Sequence, residues 1–274
     1  MGRTVWYPGH MAKGRRQLEA LMESLDLWLE VRDARAPLLT SSPFMESLRG
    51  LNRWVVLSKA DLADPDVTDR WVSHFKDLGI PCWALDSRKQ IPSSMRRAMK
   101  ELKPSHRDLR VAVVGVPNVG KSALLNHVIG RSSAKVGAMP GVTRGLSWFR
   151  GDGVMVVDSP GVLDPRSGGL VQRRLSWLNA VKGTVIASPL DLALDCVGCL
   201  MSLGLWGTVA SKWNLDPGLE DPMAAMEAVA ERLGKRAKGG LLDLDGAARA
   251  FLEAFSSGRL GRFSLESPER PMVP

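Results

Sequence analysis

At 274 residues and 45% hydrophobic content, the chain is long enough for a buried core and for about two domains. Lys and Arg exceed Asp and Glu by 37 to 29, a formal charge of +8 that favours a polyanionic partner such as RNA, with plain solubility as the alternative. The N-terminus has no apolar segment of the kind a secretory signal needs, and the longest uncharged apolar run, Cys196 to Ser211, falls short of the ~18 residues of a membrane span, so a cytoplasmic protein without a membrane partner is expected.

After a turn at Pro8-Gly9, the segment Arg15 to Glu23 carries Leu18, Leu21 and Met22 at helical spacing. Leu25 to Val31 reads as a strand that ends in Arg32-Asp33-Ala34-Arg35-Ala36-Pro37. Leu51 to Leu57 is a second strand and runs into Ser58-Lys59-Ala60-Asp61. A helix is predicted over Pro65 to Leu78, with Asp64 as its N-cap and Pro65 at its first position. Cys82 to Leu85 gives a third short strand before Asp86-Ser87-Arg88. Ser93 to Leu102 is a basic helix, and Lys103 to His106 a connector.

The next stretch, Arg110 to Ser122, is an apolar β-branched run leading into Gly115-Val-Pro-Asn-Val-Gly120-Lys121-Ser122, a full match to the G-x-x-x-x-G-K-[ST] phosphate loop. Such a loop needs glycine where backbone N–H groups approach phosphate oxygens and where φ turns positive. Leu124, Leu125, Val128 and Ile129 then follow at helical spacing, so a helix N-terminus would point its partial positive charge at the phosphates.

Lys135 to Gly145 is a glycine-rich loop. Leu146 to Arg150 and Val154 to Val157 are strands joined at Gly151-Asp152-Gly153, and the second ends in Asp158-Ser159-Pro160-Gly161. Strands that alternate with helices and end at polar loops predict an α/β domain with a mostly parallel sheet, a P-loop NTPase, with its ligand beyond the strands' carboxyl ends. From Gly168 onward only helices are predicted: Leu170 to Val181, Leu190 to Trp213, Pro222 to Leu233 and Leu242 to Phe255. The division is therefore an α/β domain over 1–166 and an all-helical, basic C-terminal domain over 167–274. Lys235, Arg236, Lys238, Arg259 and Arg262 lie in glycine-containing loops, either as RNA phosphate contacts or as a solvated surface. Cys196-x-x-Cys199 reads as two small residues on a buried helix rather than a zinc pair.

Phosphoryl transfer needs a phosphate cradle, magnesium and a means of orienting water. Lys121 would reach the outer phosphates and Ser122 would ligate magnesium. Asp158, at a strand end, is the second magnesium-side residue, and Thr143 is the candidate switch threonine for the metal. The Gly161 N–H is placed to approach a γ-phosphate. The plainer alternatives are a strand-end turn for Asp158 to Gly161 and a surface loop around Thr143. On the base side, a carboxylate at Asp61 would accept from both the N1–H and the exocyclic amine of guanine, and Lys59 would lay its stem over the base plane. Taken alone, Ser58 to Asp61 also reads as a helix N-cap.

WYPGHMAKGRR, DARAP, SKAD, GVPNVGKS, PGVTR and DSPG, in that order, resemble the circularly permuted GTPases of the YlqF, or ribosome biogenesis GTPase A, type. The resemblance spans Trp6 to Gly161 and extends weakly into the helical part. It implies GTP or GDP with Mg2+, held around the phosphates by Pro117, Asn118, Val119, Gly120, Lys121, Ser122 and Ala123. It also implies Asp86 and Ser87 as a second base-contacting loop, K+ held through Asn118, and the large ribosomal subunit with its rRNA, not DNA, as partner. In this order the base-reading loop precedes the phosphate loop, and DSPG leads directly into the helical domain.

The sequence departs from the usual motif at Ser58, where the base motif begins with Asn. A hydroxyl there is too short to reproduce an amide's contacts to base and phosphate loop, so weaker affinity is expected. Val162 follows DSPG where many GTPases place a water-orienting Gln, which implies slow intrinsic turnover. His10 is a candidate for positioning water, or else packs against Trp6 and Tyr7. The expected function is a GTP-hydrolysing assembly factor, and the alternative a guanine-nucleotide-dependent regulator with little intrinsic hydrolysis.

Overall fold

The computed structural model describes residues 16–42, 45, 52–86, 88–130, 134–136, 147–159, 161, 168–181 and 186–272. Strands β1 (Leu27–Asp33), β2 (Arg53–Ser58), β3 (Cys82–Ala84), β4 (Leu109–Val114), β5 (Ala134–Val136), β6 (Ser147–Gly151) and β7 (Val154–Asp158) form one sheet in the order β3-β2-β1-β4-β7-β6-β5. Pairing is parallel from β3 across to β7 and antiparallel for the last two strands. The β6–β7 hairpin turns at Asp152 (φ +48) and Gly153 (φ +74), the two consecutive positive-φ residues that such a tight turn requires.

All of β1 is buried, as a central parallel strand covered on both faces must be. One apolar cluster joins Leu18, Leu21 and Trp28 to Ala112, Val114 and Trp148. Another packs Val55, Leu57 and Cys82 against Trp71 and Phe75 of helix α1 (Pro65–Asp77). Asp64 caps that helix as expected, its carboxylate accepting from the Val67 N–H at 3.0 Å. Helix α2 covers Ser93–Leu102, and α3 (Lys121–Ile129) starts at Gly120, whose φ is +103. Register places Asp33 opposite Ser58 and Val113 opposite Asp158, so the loops that carry the sequence motifs leave the sheet at one edge.

Helices α4 (Gly169–Trp177), α5 (Pro189–Ser202), α6 (Trp206–Trp213), α7 (Pro222–Arg232) and α8 (Leu244–Ser256) follow. The single helix expected over Leu190 to Trp213 is in fact α5 and α6, bent by 117°. Gly204, at φ +71, ends α5, and the N–H groups of Gly204 and Leu205 close back on the carbonyls of Met201 and Leu200. The uninterrupted apolar run concealed this stop. A second difference is β5, three residues that pair with β6 at the start of what read as loop.

Contacts divide the described residues into two units, one holding 168–265 and the other holding 16–161 together with 266–272. The expectation that 167–274 forms one continuous domain therefore fails at its end, because the tail packs on the α/β unit. Glu266 accepts from the N–H groups of Leu38 and Leu39, at 2.7 and 3.0 Å, and its carbonyl accepts from Trp71 Nε1. Among the described residues no single helix is long and apolar enough to cross a membrane.

Candidate nucleotide-binding site

The phosphate loop joins β4 to α3 and is shaped by what a side chain would hit. At Gly115 (φ +154) a Cβ would stand 2.5 Å from the Val31 carbonyl oxygen, so the loop lies directly against β1. At Gly161 a Cβ would stand 2.7 Å from the ring of Pro117, so the DSPG segment touches the phosphate loop. Ser159 ties that segment to β4 through the Val113 carbonyl at 2.7 Å. Asn118 takes φ +54 at the loop's exposed tip, while Val119 is buried. The backbone thus forms a cradle that no larger residue at 115 or 161 would permit.

Lys121 enters this cradle buried, its Nζ donating to the carbonyls of Val116 (2.8 Å) and Gly115 (3.2 Å). Burial pushes its ammonium down to about 8, against the favourable charge of Asp158. Burial likewise raises the Asp158 carboxyl, with Lys121 opposing. Both groups are therefore desolvated more than they are neutralised, which suits a site completed by phosphate and a cation. Ser122 is exposed in the first turn of α3 and Ala123 follows half-buried.

On the base side, β2 ends at Ser58. The Lys59 backbone is left-handed (φ +54), and the Ala60 N–H bonds to the Leu85 carbonyl at 3.0 Å, so the SKAD loop and the loop after β3 lie side by side. Asp61 Oδ1 is buried and has no hydrogen-bond partner among the described residues, while Oδ2 lies 3.3 Å from the Arg88 guanidinium. A buried acceptor without a donor is costly unless a ligand supplies one. Guanine supplies an N1–H and an exocyclic amine, and adenine has no such pair. Arg88 also grips Asp86, which its side chain and backbone N–H hold down to about 2.

The Ser58 hydroxyl bonds to the Val119 carbonyl at 2.5 Å and to the Arg32 carbonyl at 2.9 Å. The expectation that a hydroxyl is too short to reproduce an amide's contacts to base and phosphate loop is thus corrected for the phosphate loop. The loop comes to it, turning at Gly120, whose φ of +103 favours glycine.

The structure brings Ser58, Lys59, Asp61, Asp86, Pro117 to Ala123, Asp158 and Gly161 to the carboxyl edge of the sheet. His10, Ser87, Thr143 and Val162 lie outside the described residues. Sequence reasoning missed the roles of Asp33, Arg35 and Arg88. Of the basic residues noted in the helical unit, Arg259 is folded onto Glu253 at 2.8 Å and Arg236 onto the Gly240 carbonyl at 3.1 Å.

Comparison with known proteins agrees with this geometry. The 50S ribosome-binding GTPase family matches residues 110–197. Ribosome biogenesis GTPase A of Priestia megaterium is 33% identical, covering 98% of each chain, and that of Thermotoga maritima is 32% identical over 96% of this chain and 94% of its own. Mitochondrial ribosome-associated GTPase 1 of Mus musculus is 32% identical over 98% of this chain and 91% of its own. Among solved structures, GDP-bound YlqF superimposes with a TM-score of 0.68 at 26% identity, covering 93% of this chain and 100% of that one. YlqF from T. maritima bound to GNP gives 0.67 at 26% identity, covering 94% and 99%.

Proposed function

The chain belongs to the ribosome biogenesis GTPase A family of GTP-hydrolysing ribosome assembly factors, and we propose that it acts on the large ribosomal subunit through contacts with its rRNA, in the cytoplasm. The observation that carries the guanine-nucleotide reading is the convergence of a buried, desolvated Lys121 with a buried Asp61 oxygen that awaits a donor. The first meets phosphate and the second meets guanine.

In this reading Lys121 leaves the carbonyls of Gly115 and Val116 for the β- and γ-phosphates, and the α3 N-terminus adds its dipole. Asp61, beside Lys59, selects the base, with Asp86 and Ser87 bordering it. The Gly161 N–H reports the γ-phosphate, since its contact with Pro117 couples the switch to the cradle. Magnesium would be held by Ser122, Thr143 and, directly or through water, Asp158, and supplies charge neutralisation on the phosphates. Asn118 is the residue that would hold a potassium ion. Intrinsic turnover is slow because Val162 offers no water-orienting group, which leaves His10 or the ribosome to position water.

Co-sedimentation with separated ribosomal subunits tests this. Pelleting with the large subunit should be stronger in a non-hydrolysable GTP analogue than in GDP. Equal pelleting with both subunits, or no nucleotide dependence, overturns the reading.

A further inference from the structure

The segment Asp33-Ala34-Arg35 closes β1 and opens the loop after it. Its Asp33 and Arg35 side chains are 1% and 0% exposed. Arg35 donates to Asp33 from its backbone N–H (3.1 Å), Nε (3.0 Å) and a terminal nitrogen (2.8 Å). A second cation lies on the same carboxylate, the Lys59 Nζ at 3.0 Å from Asp33 Oδ2. Burial alone would raise the Asp33 carboxyl, but the charges and hydrogen bonds of Arg35 and Lys59 hold it far below the usual carboxylate range.

Charge balance shows which member of this cluster is surplus. Arg35 by itself neutralises Asp33 with a two-pronged, fully buried contact, so Lys59 is not required to compensate a buried charge. A buried ion pair is also weak grounds for stability, since desolvation offsets most of its attraction. Lys59 is the partly exposed member, 20% exposed, and it lies two residues before Asp61 on the guanine-reading loop. Its backbone sits in the left-handed region that L-residues avoid. The Ala34 N–H bond to the Ser58 carbonyl at 2.9 Å ties the two segments together just before it.

We propose that Asp33, itself fixed by Arg35, is a positioning residue for guanine recognition: it pins the Lys59 ammonium so that the lysine stem meets the base already ordered. An unpinned lysine loses rotamer freedom on covering a base, and the anchor removes that loss before binding. The effect falls on the base and not on the phosphates. The proposal rests on the guanine reading of Asp61 and is separable from it by experiment.

Affinities for GDP and ADP are measured by calorimetry and competition for the wild type, Asp33→Asn, Lys59→Met and the double variant, with thermal unfolding of each nucleotide-free protein. Lys59→Met leaves the Asp33–Arg35 pair in place and keeps an apolar stem of similar length while deleting the pin. It should lose about tenfold in the GDP-to-ADP preference, Asp33→Asn a similar factor, and the double variant no more than either single. If Lys59→Met keeps the wild-type preference, an unanchored stem suffices and the proposal falls. It falls equally if the two losses multiply in the double variant. Should Asp33→Asn fail to fold, Lys59→Met alone decides. A wild type with no preference for GDP over ADP overturns the guanine reading and this proposal together, a folded Asp33→Asn that keeps the wild-type preference overturns the proposal alone, and loss of preference in both folded single variants supports both.

Discussion

On the phosphate side of the site the shape comes from backbone: Gly115 and Gly161 stand where a Cβ would strike the Val31 carbonyl and Pro117, and Lys121 rests on two carbonyls of its own loop. On the base side the shape comes from charged side chains that three separate strands deliver, with Asp33 and Arg35 at the end of β1, Lys59 and Asp61 after β2, and Asp86 and Arg88 after β3. The two sides meet at Ser58, whose hydroxyl bonds to the Val119 carbonyl. The contrast has a chemical reason. Phosphate is recognised by many N–H groups and a net charge, which a short contiguous loop provides. A base edge is recognised by a few directed acceptors, and these need neighbours to hold them still.

The largest effect is expected on the base side. Asp61→Asn exchanges an acceptor for a donor at the place where, on the proposed reading, guanine offers its N1–H and amine, so preference should move from GTP toward XTP. A site built to pair specific hydrogen bonds rejects the unmatched analogue by up to ~10⁴-fold. Competition binding with GTP and XTP measures this, and an unchanged preference would mean that the unpaired Asp61 oxygen does not face the base.

On the phosphate side, Lys121→Ala should weaken GTP and GDP by roughly a thousandfold with base preference intact, because one buried cation serves every nucleotide alike. Its desolvation adds a pH signature. The nucleotide-free ammonium titrates near 8, and bound phosphate would hold it charged to higher pH. Binding above pH 8 should therefore take up a proton, with GDP affinity falling by up to ~tenfold per pH unit, while below pH 8 this dependence vanishes. Calorimetry in buffers of different ionisation heat reads the proton directly. Uptake that persists at pH 7, or is absent at pH 9, would assign the proton to another group.

The same contrast governs what was legible in the sequence. The phosphate loop could be read from its motif because backbone geometry restricts residue type at Gly115 and Gly120, whose φ values are positive, and the lysine follows at a fixed spacing. The parallel order of the sheet followed from apolar runs ending in polar loops. Asp33 and Arg35 stayed unread because their partner, Lys59, is distant in sequence and meets them only through the β1–β2 pairing. The break at Gly204 was hidden inside an apolar run, where one glycine is a weak stop signal. The return of Glu266 to Leu38 and Leu39 leaves no periodic trace, since it is a contact between two irregular segments.

The smallest effect, and the one that tests where the two sides join, concerns Ser58. Its hydroxyl has one proton and two carbonyl neighbours, Val119 and Arg32, so it ties the phosphate loop to the ends of β1 and β2. Ser58→Ala removes that tie and leaves the buried Val119 carbonyl short of a donor. At ~0.5–1.5 kcal/mol for one net hydrogen bond, GDP and GTP should both weaken by about threefold to tenfold, with base preference and saturated turnover unchanged. Ser58→Asn restores an amide but needs to keep the contact with the Val119 carbonyl. Its gain is confined to the base side and should be about threefold for GDP and GTP alike. Equal affinity of the wild type and Ser58→Ala would show that the glycines alone shape the loop. A change in turnover at saturation would instead place Ser58 in the catalytic step, and the division between a backbone-built phosphate side and a side-chain-built base side would then fail at the residue that joins them.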